Sequence, residues 1–413
     1  MAAAAAAQPR VMVLPFPAQG HVIPLMELSR KLVGHGLEID FVNTEFNHGR
    51  VLQALAEDGA IPGGVHMLSV PDGLGPADDH TDIGALVKGL PAAMSGRLEG
   101  MIRSRKTKWM IADVSMSWAL ELATTAGVRV ALFSTYSAAV FALRLKLPKL
   151  IEDGVVDESG NVKRNERVQL MPPVDAAEIP WVSLGSTPER RRTNIQNVLR
   201  TNRLIPLAET IICNTFMEME PDALALLPNA LPLGPLVAPT SRPAGHFLPE
   251  DLTCLAWLDA QAPCSVVYVA FGSSGLLAAA HRRVEGKGLV VGWAPQQRVL
   301  SHPAVACFVS HCGWNSTMEG MLHGVPFLCW PYFADQFSNQ SYVCNVWGTG
   351  IKLCRDERGV VAKEEIESKV ARLLGDEGVK ARAATWKDKA CASIAEGGSS
   401  HEHLLKLVNL LGE

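Results

Sequence analysis

Two groups of residues in this sequence have types and spacing suited to chemistry. The first is His21, in the run PAQGHVIPL, with Asp113, in IADVSMSW. Each follows a short apolar run of the kind that forms a buried strand, His21 after the loop at 15–20. In open parallel sheets, ligands bind beyond the carboxyl ends of the strands, so both side chains are expected at a cleft. An imidazole with an ordinary pKa of about 6.5 can take a proton near neutral pH. A carboxylate on its other ring nitrogen would hold the tautomer and stabilise the imidazolium that forms. Taken alone, His21 is also compatible with a plain helix-start residue.

The second group lies in the stretch WAPQQRVLSHPAVACFVSHCGWNSTMEGMLHGVPFLCWPYFADQ, residues Trp293 to Gln336. It reads as an exposed Trp, a strand, a Gly-containing turn and a helix start. The amides of Asn315, Ser316 and Thr317 would be free at that start, and a helix N-terminus draws phosphate through its dipole and unsatisfied donors. Gly313 would let an anion approach the backbone. His311 and the Ser316 hydroxyl could add hydrogen bonds, and Trp293 could stack on a flat base. A plainer reading stands beside this one. Ser316-x-x-Glu319 also fits a capping box, and Trp314 and Trp330 suit a core as well as a contact. His302, His311, Cys312 and His323 have no familiar metal-ligand spacing.

Alternating elements must position these residues. Arg10–Leu14 reads as a buried strand, residues 22–33 as a helix with Leu25, Leu28 and Leu32 on one face, and residues 39–42 as the next strand. The unit recurs as a strand at 109–112, a helix at 116–125 and a strand at 128–133. Strands alternating with helices imply a parallel sheet covered on both faces. Residues 231–250 carry five prolines and two glycines, a linker composition. After it come expected strands at 266–271, 289–291, 306–310 and 326–329, with a helix from about Asn315 to Leu322. The fold class is therefore α/β, two doubly wound Rossmann-like domains facing across a cleft. The expected division is an N-terminal domain over 1–236, a Pro-rich linker over 237–250, a C-terminal domain over 251–396 and a final helix over 397–413 that packs back on the N-terminal domain.

Composition narrows the function class. The 413 residues are 48% hydrophobic and 19% charged, with a net charge of −4, which makes no electrostatic case for nucleic acid or an anionic membrane as partner. The nine cysteines include no C-x-x-C and sit largely in apolar runs, as reduced thiols do. The run Ala2–Ala7 precedes the first Arg, the wrong order for a signal peptide, and no apolar run of about 18 residues appears. The expected location is the cytosol, without a membrane span.

Taken as a whole, the 44-residue stretch Trp293–Gln336 resembles the signature box of the plant UDP-glycosyltransferases of family 1, and the resemblance extends from about Arg10 to the C-terminus, including GGSS at Gly397–Ser400. That resemblance implies the GT-B fold, with the acceptor in the N-terminal half and the UDP-sugar donor in the C-terminal half. Carried onto matching positions, it implies that Trp293 stacks on uracil, with Ala294 also at the nucleotide, and that Gln296 and Glu319 reach the ribose. His311, Asn315 and Ser316 would hold the diphosphate, with Gly313 at the turn and Ser273 approaching from the FGS segment. Trp314, Asp335 and Gln336 would contact the sugar, and a closing Gln is the family's usual mark of a glucose donor. His21 and Asp113 match the family's catalytic dyad, so the implied reaction is direct displacement with inversion at the anomeric carbon. UDP-glucose, or another UDP-sugar, would be a co-substrate and not a resident cofactor. No acidic pair is arranged for a metal at the diphosphate, so no metal is expected. The partners expected are the UDP-sugar and a small hydroxylated acceptor, and the protein itself is expected to be a monomer.

One departure from the family pattern stands out. After Gly272-Ser273-Ser274 the family continues through a long helix and a further strand before the counterpart of HRRVEGKGLVVGWAPQ, and here only Gly275–Ala280 intervenes. A parallel crossover needs at least about 10–12 residues including its helix, which a short helix at 276–285 would just satisfy. The C-terminal domain is therefore expected to be shortened, and a UDP-sugar-binding protein without turnover is the alternative reading. A dinucleotide-dependent dehydrogenase is disfavoured, because the loops after residues 14 and 271 lack G-x-G-x-x-G.

Overall fold

A computed structural model describes residues 9–58, 63–164, 167–168, 174–183, 187–237, 245–273 and 287–413. Its framework is two parallel sheets. The first holds seven strands in the order β3-β2-β1-β4-β5-β8-β9. These are β1 (Arg10–Leu14), β2 (Glu38–Thr44), β3 (Val65–Val70), β4 (Trp109–Asp113), β5 (Arg129–Ser134), β8 (Thr210–Cys213) and β9 (Ala230–Pro232). A small antiparallel ribbon, β6 (Arg167–Val168) with β7 (Val174–Asp175), lies outside it. The second sheet runs β10-β11-β12-β13, from β10 (Val266–Ala270) through β11 (Val305–Ser310) and β12 (Phe327–Cys329) to β13 (Gly350–Lys352). The central strands are continuous apolar runs, Val11 to Leu14 among them, buried from both faces as a helix-covered parallel sheet requires.

Register brings the first chemical group together. Leu14 of β1 lies opposite Ala112 of β4, and Asp113 of β4 opposite Phe133 of β5. Asp113 at the end of β4, Thr135 just past β5 and His21 beyond the loop that follows β1 are therefore neighbours. His21 sits in the first turn of the helix Gln19–Gly34. The segment expected as one helix over 116–125 instead opens with a 3-10 turn, Val114–Met116, and becomes α-helical at Trp118–Thr125. The Asp113 side chain caps that turn by accepting from Ser115 N, which breaks the helix start in two.

The second sheet departs from expectation at its edge. Leu289–Val291 forms no strand, and Leu289 is exposed. Three apolar residues between Gly288 and Gly292 are too few to hold a strand without a paired neighbour on the sheet. Strand β10 pairs only with β11 among the described residues, and its side chains are half-buried, with Val269 44% exposed. The expected short helix at 276–285 lies outside the described residues.

The two sheets share a core. Phe141, Cys213 and Phe216 pack in one apolar cluster with Trp314, Met318 and Trp347. Among the described residues, three side chains cross between the halves to backbone carbonyls: Trp314 Nε1 to Asn214 O at 2.8 Å, Asn315 Nδ2 to Gly20 O at 2.9 Å, and Trp347 Nε1 to Met219 O at 3.1 Å. The final helix, Ser399–Gly412, returns to the first sheet. Its Leu404, Leu407 and Leu411, spaced for one face, are buried with Val11, Val13, Ile212 and Leu233.

Candidate functional site

A cavity of about 360 Å³ opens where the carboxyl ends of the two sheets face each other. The first sheet contributes His21, Thr135 and Tyr136 to its wall. The second contributes Gly272, Ser273, Trp293, His311, Gly313 to Ser316, and Asp335 with Gln336.

His21 Nδ1 lies 2.7 Å from Asp113 Oδ2 and 3.1 Å from Thr135 Oγ1. A carboxylate only accepts, so the ring proton sits on Nδ1 and the Nε2 lone pair is left for the cavity. Asp113 is fully buried, and its second oxygen accepts from Ser115 N at 2.7 Å. The carboxylate is thus clamped between its own turn and the imidazole. Burial lowers the basicity of His21, but the charge and hydrogen bond of Asp113 and the charge of Asp335 outweigh it, and the pKa is raised above the ordinary 6.5. Asp335 comes from the opposite half. Burial lifts its own carboxyl above the usual range, against a bond from Asn339 Nδ2 at 2.8 Å and the charge of His21.

The helix Trp314–His323 starts at the cavity. Its N-cap is Gly313, with no side-chain cap, so the amides of Trp314, Asn315 and Ser316 have no acceptor among the described residues, whereas the Thr317 amide, expected to be free, donates to Gly313 O at 2.9 Å and closes the first turn. Ser316 is therefore three residues inside the helix, which removes the capping-box reading. Glu319 turns instead to Gln296, whose Nε2 donates to Ser316 Oγ at 2.9 Å and to Glu319 Oε2 at 2.6 Å. The Tyr268 hydroxyl meets Gln296 Oε1 at 3.2 Å. Burial pushes the Glu319 carboxyl up to about 7, opposed by its bonds from Gln296 and Gln297. Gln296 and Glu319 do not line the large cavity, and Ala294 packs against the apolar core behind it.

His311 is packed between two glycines. A Cβ on Gly272, whose φ is +73°, or on Gly313 would overlap the imidazole Nε2. Burial drives the His311 pKa down to about 4, so this ring is neutral at pH 7 and can offer a hydrogen bond but no positive charge. Its Nδ1 is buried without a partner among the described residues. Cys312 and Ala334, in the loops after β11 and β12, both hold positive φ, 64° and 57°. Non-glycine residues in that region cost energy and gather at functional sites.

The remaining expected site residues divide. The Trp314 indole is buried in the shared core, bonded to Asn214 and packed near Trp347, so a sugar would meet its backbone and not its ring. Asn315 sends its amide nitrogen across the cleft to Gly20, and its buried Oδ1 has no partner among the described residues. Gln336 turns its Oε1 back to Tyr332 N at 2.9 Å and Phe333 N at 3.1 Å. Its NH2 group takes no part in these bonds. Trp293 Nε1 donates to His246 Nδ1 at 3.2 Å, and Gln19 Nε2 lies 3.3 Å from the same nitrogen. Trp293 is thereby tied, through His246 and Gln19, to the helix that carries His21.

Sequence reasoning passes over Thr135, Tyr136, Arg144 and His246. Thr135 and Tyr136 follow a strand just as Asp113 ends one, and that signal could have found them. Arg144, in mid-helix, and His246, in the linker, carry no local sign.

Comparison with known proteins agrees with this geometry. Residues 248–385 match the family described as UDP-glucoronosyl and UDP-glucosyl transferase. The chain is 38% identical to UDP-glycosyltransferase 83A1 of Arabidopsis thaliana, covering 97% of this chain and 96% of that protein. It is 32% identical to the 7-deoxyloganetin glucosyltransferase of Gardenia jasminoides, covering 96% of each. Its fold is similar to that of Os79 from O. sativa in complex with UDP, with a TM-score of 0.81 at 25% identity over 97% of this chain and 100% of that one. Phytolacca americana UGT2, complexed with UDP-2fluoro-glucose and pterostilbene, gives the same TM-score and identity over 98% and 99%. These neighbours have the GT-B fold. The Arabidopsis alignment spans 448 positions against 413 residues here, so that relative carries at least 35 residues without a counterpart in this chain.

Proposed function

The chain belongs to the plant family 1 UDP-glycosyltransferases, and from that premise we propose that it moves glucose from UDP-glucose to a hydroxyl of a small metabolite, with inversion. The observation that carries this reading is the 2.7 Å bond between His21 and a fully buried Asp113, in a cavity whose far wall is an uncapped helix start. His21 Nε2 takes the proton of the acceptor hydroxyl while Asp113 holds the other nitrogen protonated. The oxygen attacks the anomeric carbon from the His21 side, the bond to UDP breaks on the opposite face, and the configuration inverts. The charge growing on UDP falls to the amides of Trp314 to Ser316, the neutral His311 and the Ser273 hydroxyl, donors held in place before the reaction. Trp293 takes the uracil face, and the Gln336 NH2 takes a sugar hydroxyl.

The test is incubation with UDP-glucose and a panel of phenolic, terpenoid and hormone-like acceptors, read by mass, with the anomeric coupling constant read by NMR. A β-glucoside is expected. An α-linked product would refute the inverting displacement. EDTA should leave turnover unchanged, and a loss restored by Mg²⁺ would refute a metal-free site.

We place the protein in the cytosol as a monomer. The nine cysteines are free thiols, and among the described residues no helix is long and apolar enough to cross a membrane. A second reading, UDP-sugar binding without turnover, is favoured by one observation: the half-exposed edge strand β10 beside a chain shorter than its relative. UDP binding by calorimetry with no product from any acceptor would select it.

A further inference from the structure

The acceptor side of the cavity is mostly apolar, with Phe16, Val87, Val140, Trp181 and Val198 on its wall, yet it includes an arginine. Arg144 sits in the helix Ala138–Glu152 and is 3% exposed. An arginine keeps its charge at any physiological pH, and buried charges are ordinarily paired. This one has only neutral partners among the described residues. Its Nε donates to Asn202 Oδ1 at 3.1 Å, its Nη1 donates to the Tyr136 hydroxyl at 3.1 Å, and the Trp181 ring stands 6.0 Å from the guanidinium. Its Nη2 is buried without a partner among the described residues.

Tyr136 carries that charge to the cavity surface. Its oxygen accepts from Arg144, so its own O–H is left to donate, and no acceptor for it stands among the described residues. Burial pushes the phenol up to about 12, with Arg144 pulling the other way, so it remains a donor at neutral pH. Tyr136 directly follows Thr135, which touches His21. A buried cation, a phenol polarised by it and a set of unfilled donors form a receptor for negative charge beside the catalytic base.

We propose that the acceptor carries a carboxylate in addition to the hydroxyl that is glycosylated, and that this carboxylate docks on Tyr136 and Arg144. The inference rests on the glycosyltransferase reading and adds the chemical class of its acceptor. No bond is made at the carboxylate. It orients the molecule and neutralises the guanidinium while the hydroxyl meets His21.

The experiment compares hydroxyaryl carboxylates with their methyl esters and primary amides as acceptors for UDP-glucose. The native enzyme should favour the carboxylate in kcat/KM by about 10- to 100-fold, the range a charge-assisted hydrogen bond commands. Arg144→Gln and Tyr136→Phe should each reduce that ratio at least tenfold, and Arg144→Lys, which keeps the charge, should retain part of it. Binding of the same carboxylates by calorimetry, in native protein and in each variant, gives the same comparison without turnover, so a protein that proves inactive still tests the site. If Arg144→Gln does not fold, Arg144→Lys and Tyr136→Phe carry the test. An equal or better response to the esters, or a preference that survives the variants, overturns the proposal. So does a base-labile glucose ester as product, because the carboxylate would then sit at His21.

Discussion

Replacing Asp113 with Asn should harm turnover more than replacing it with Ala, although Asn is the closer mimic. The reason lies in how the carboxylate is clamped. Ser115 N–H points at Oδ1 and His21 Nδ1 at Oδ2, at 2.7 Å each. In Asp113→Asn the amide oxygen must face Ser115, because a backbone N–H can only donate. The amide nitrogen then faces His21 Nδ1, and two donors meet. The imidazole escapes by moving its proton to Nε2, the nitrogen that has to accept the proton of the attacking hydroxyl. The base is blocked by the wrong tautomer, and the loss should approach the upper end of general-base catalysis, about 10⁴-fold, or roughly 5 kcal/mol of barrier. Asp113→Ala loses the same charge but leaves both tautomers open, so its loss should stay near the lower end, about 10²-fold. Stability should run the other way. In a fully buried position, Asp113→Ala strands the Ser115 N–H at a cost of about 1–3 kcal/mol, whereas Asp113→Asn keeps that bond. The assay is kcat for each variant on one acceptor, with Tm by calorimetry. An Asn variant within a few-fold of native, or one faster than the Ala variant, would refute the tautomer argument. His21→Ala should match Asp113→Asn, and the double variant should be no slower, since the two residues act as a unit.

Other outcomes follow from the same geometry. Trp293→Ala should weaken UDP by the roughly 1–3 kcal/mol of a base–aromatic stack, about 5- to 150-fold in Kd by calorimetry, and an unchanged Kd removes Trp293 from the uracil site. Gln336→Glu keeps an oxygen for the amides of Tyr332 and Phe333 but loses the NH2 group, so discrimination among UDP-sugars should fall while UDP affinity holds; equal losses for both would make the residue structural. Since His21 must be unprotonated to act and its pKa is raised, kcat/KM should fall as pH drops through a midpoint above 6.5, and Asp335→Asn should move that midpoint down. A family-like helix–strand insert after Ser274 should raise the melting temperature and the turnover by covering β10, and a native chain that melts as high and reacts as fast shows the short connection to be a sound closure.

Legibility in the sequence followed local physics. Arg10–Leu14 is read to the residue because an apolar run bounded by prolines leaves little choice of ends. His21 and Asp113 are legible because strand ends in a parallel sheet point at the ligand. The failure at Leu289–Val291 has a tertiary cause: three apolar residues become a strand only when a neighbour offers a ladder. Arg144 stays hidden for a related reason. A single arginine in a helix ordinarily marks a solvated face, and only the packing of Tyr136, Trp181 and Asn202 around it shows otherwise. His246 meets Trp293 across 47 residues of sequence, beyond the reach of any local pattern.

The three bonds that Trp314, Asn315 and Trp347 send across the cleft end on main-chain oxygens, at Asn214, Gly20 and Met219. A carbonyl carries no side-chain identity, so any residue that keeps the chain on the same path can supply it. Recombination between relatives at the linker should therefore yield working hybrids wherever the N-terminal half preserves its contour near residues 20 and 214–219, however far its side of the cavity has diverged. A single residue inserted or deleted at either place would misalign the oxygens and uncouple the halves. The two halves can thus be exchanged as modules, and the seam between them constrains the spacing of the chain and leaves its chemistry free to drift.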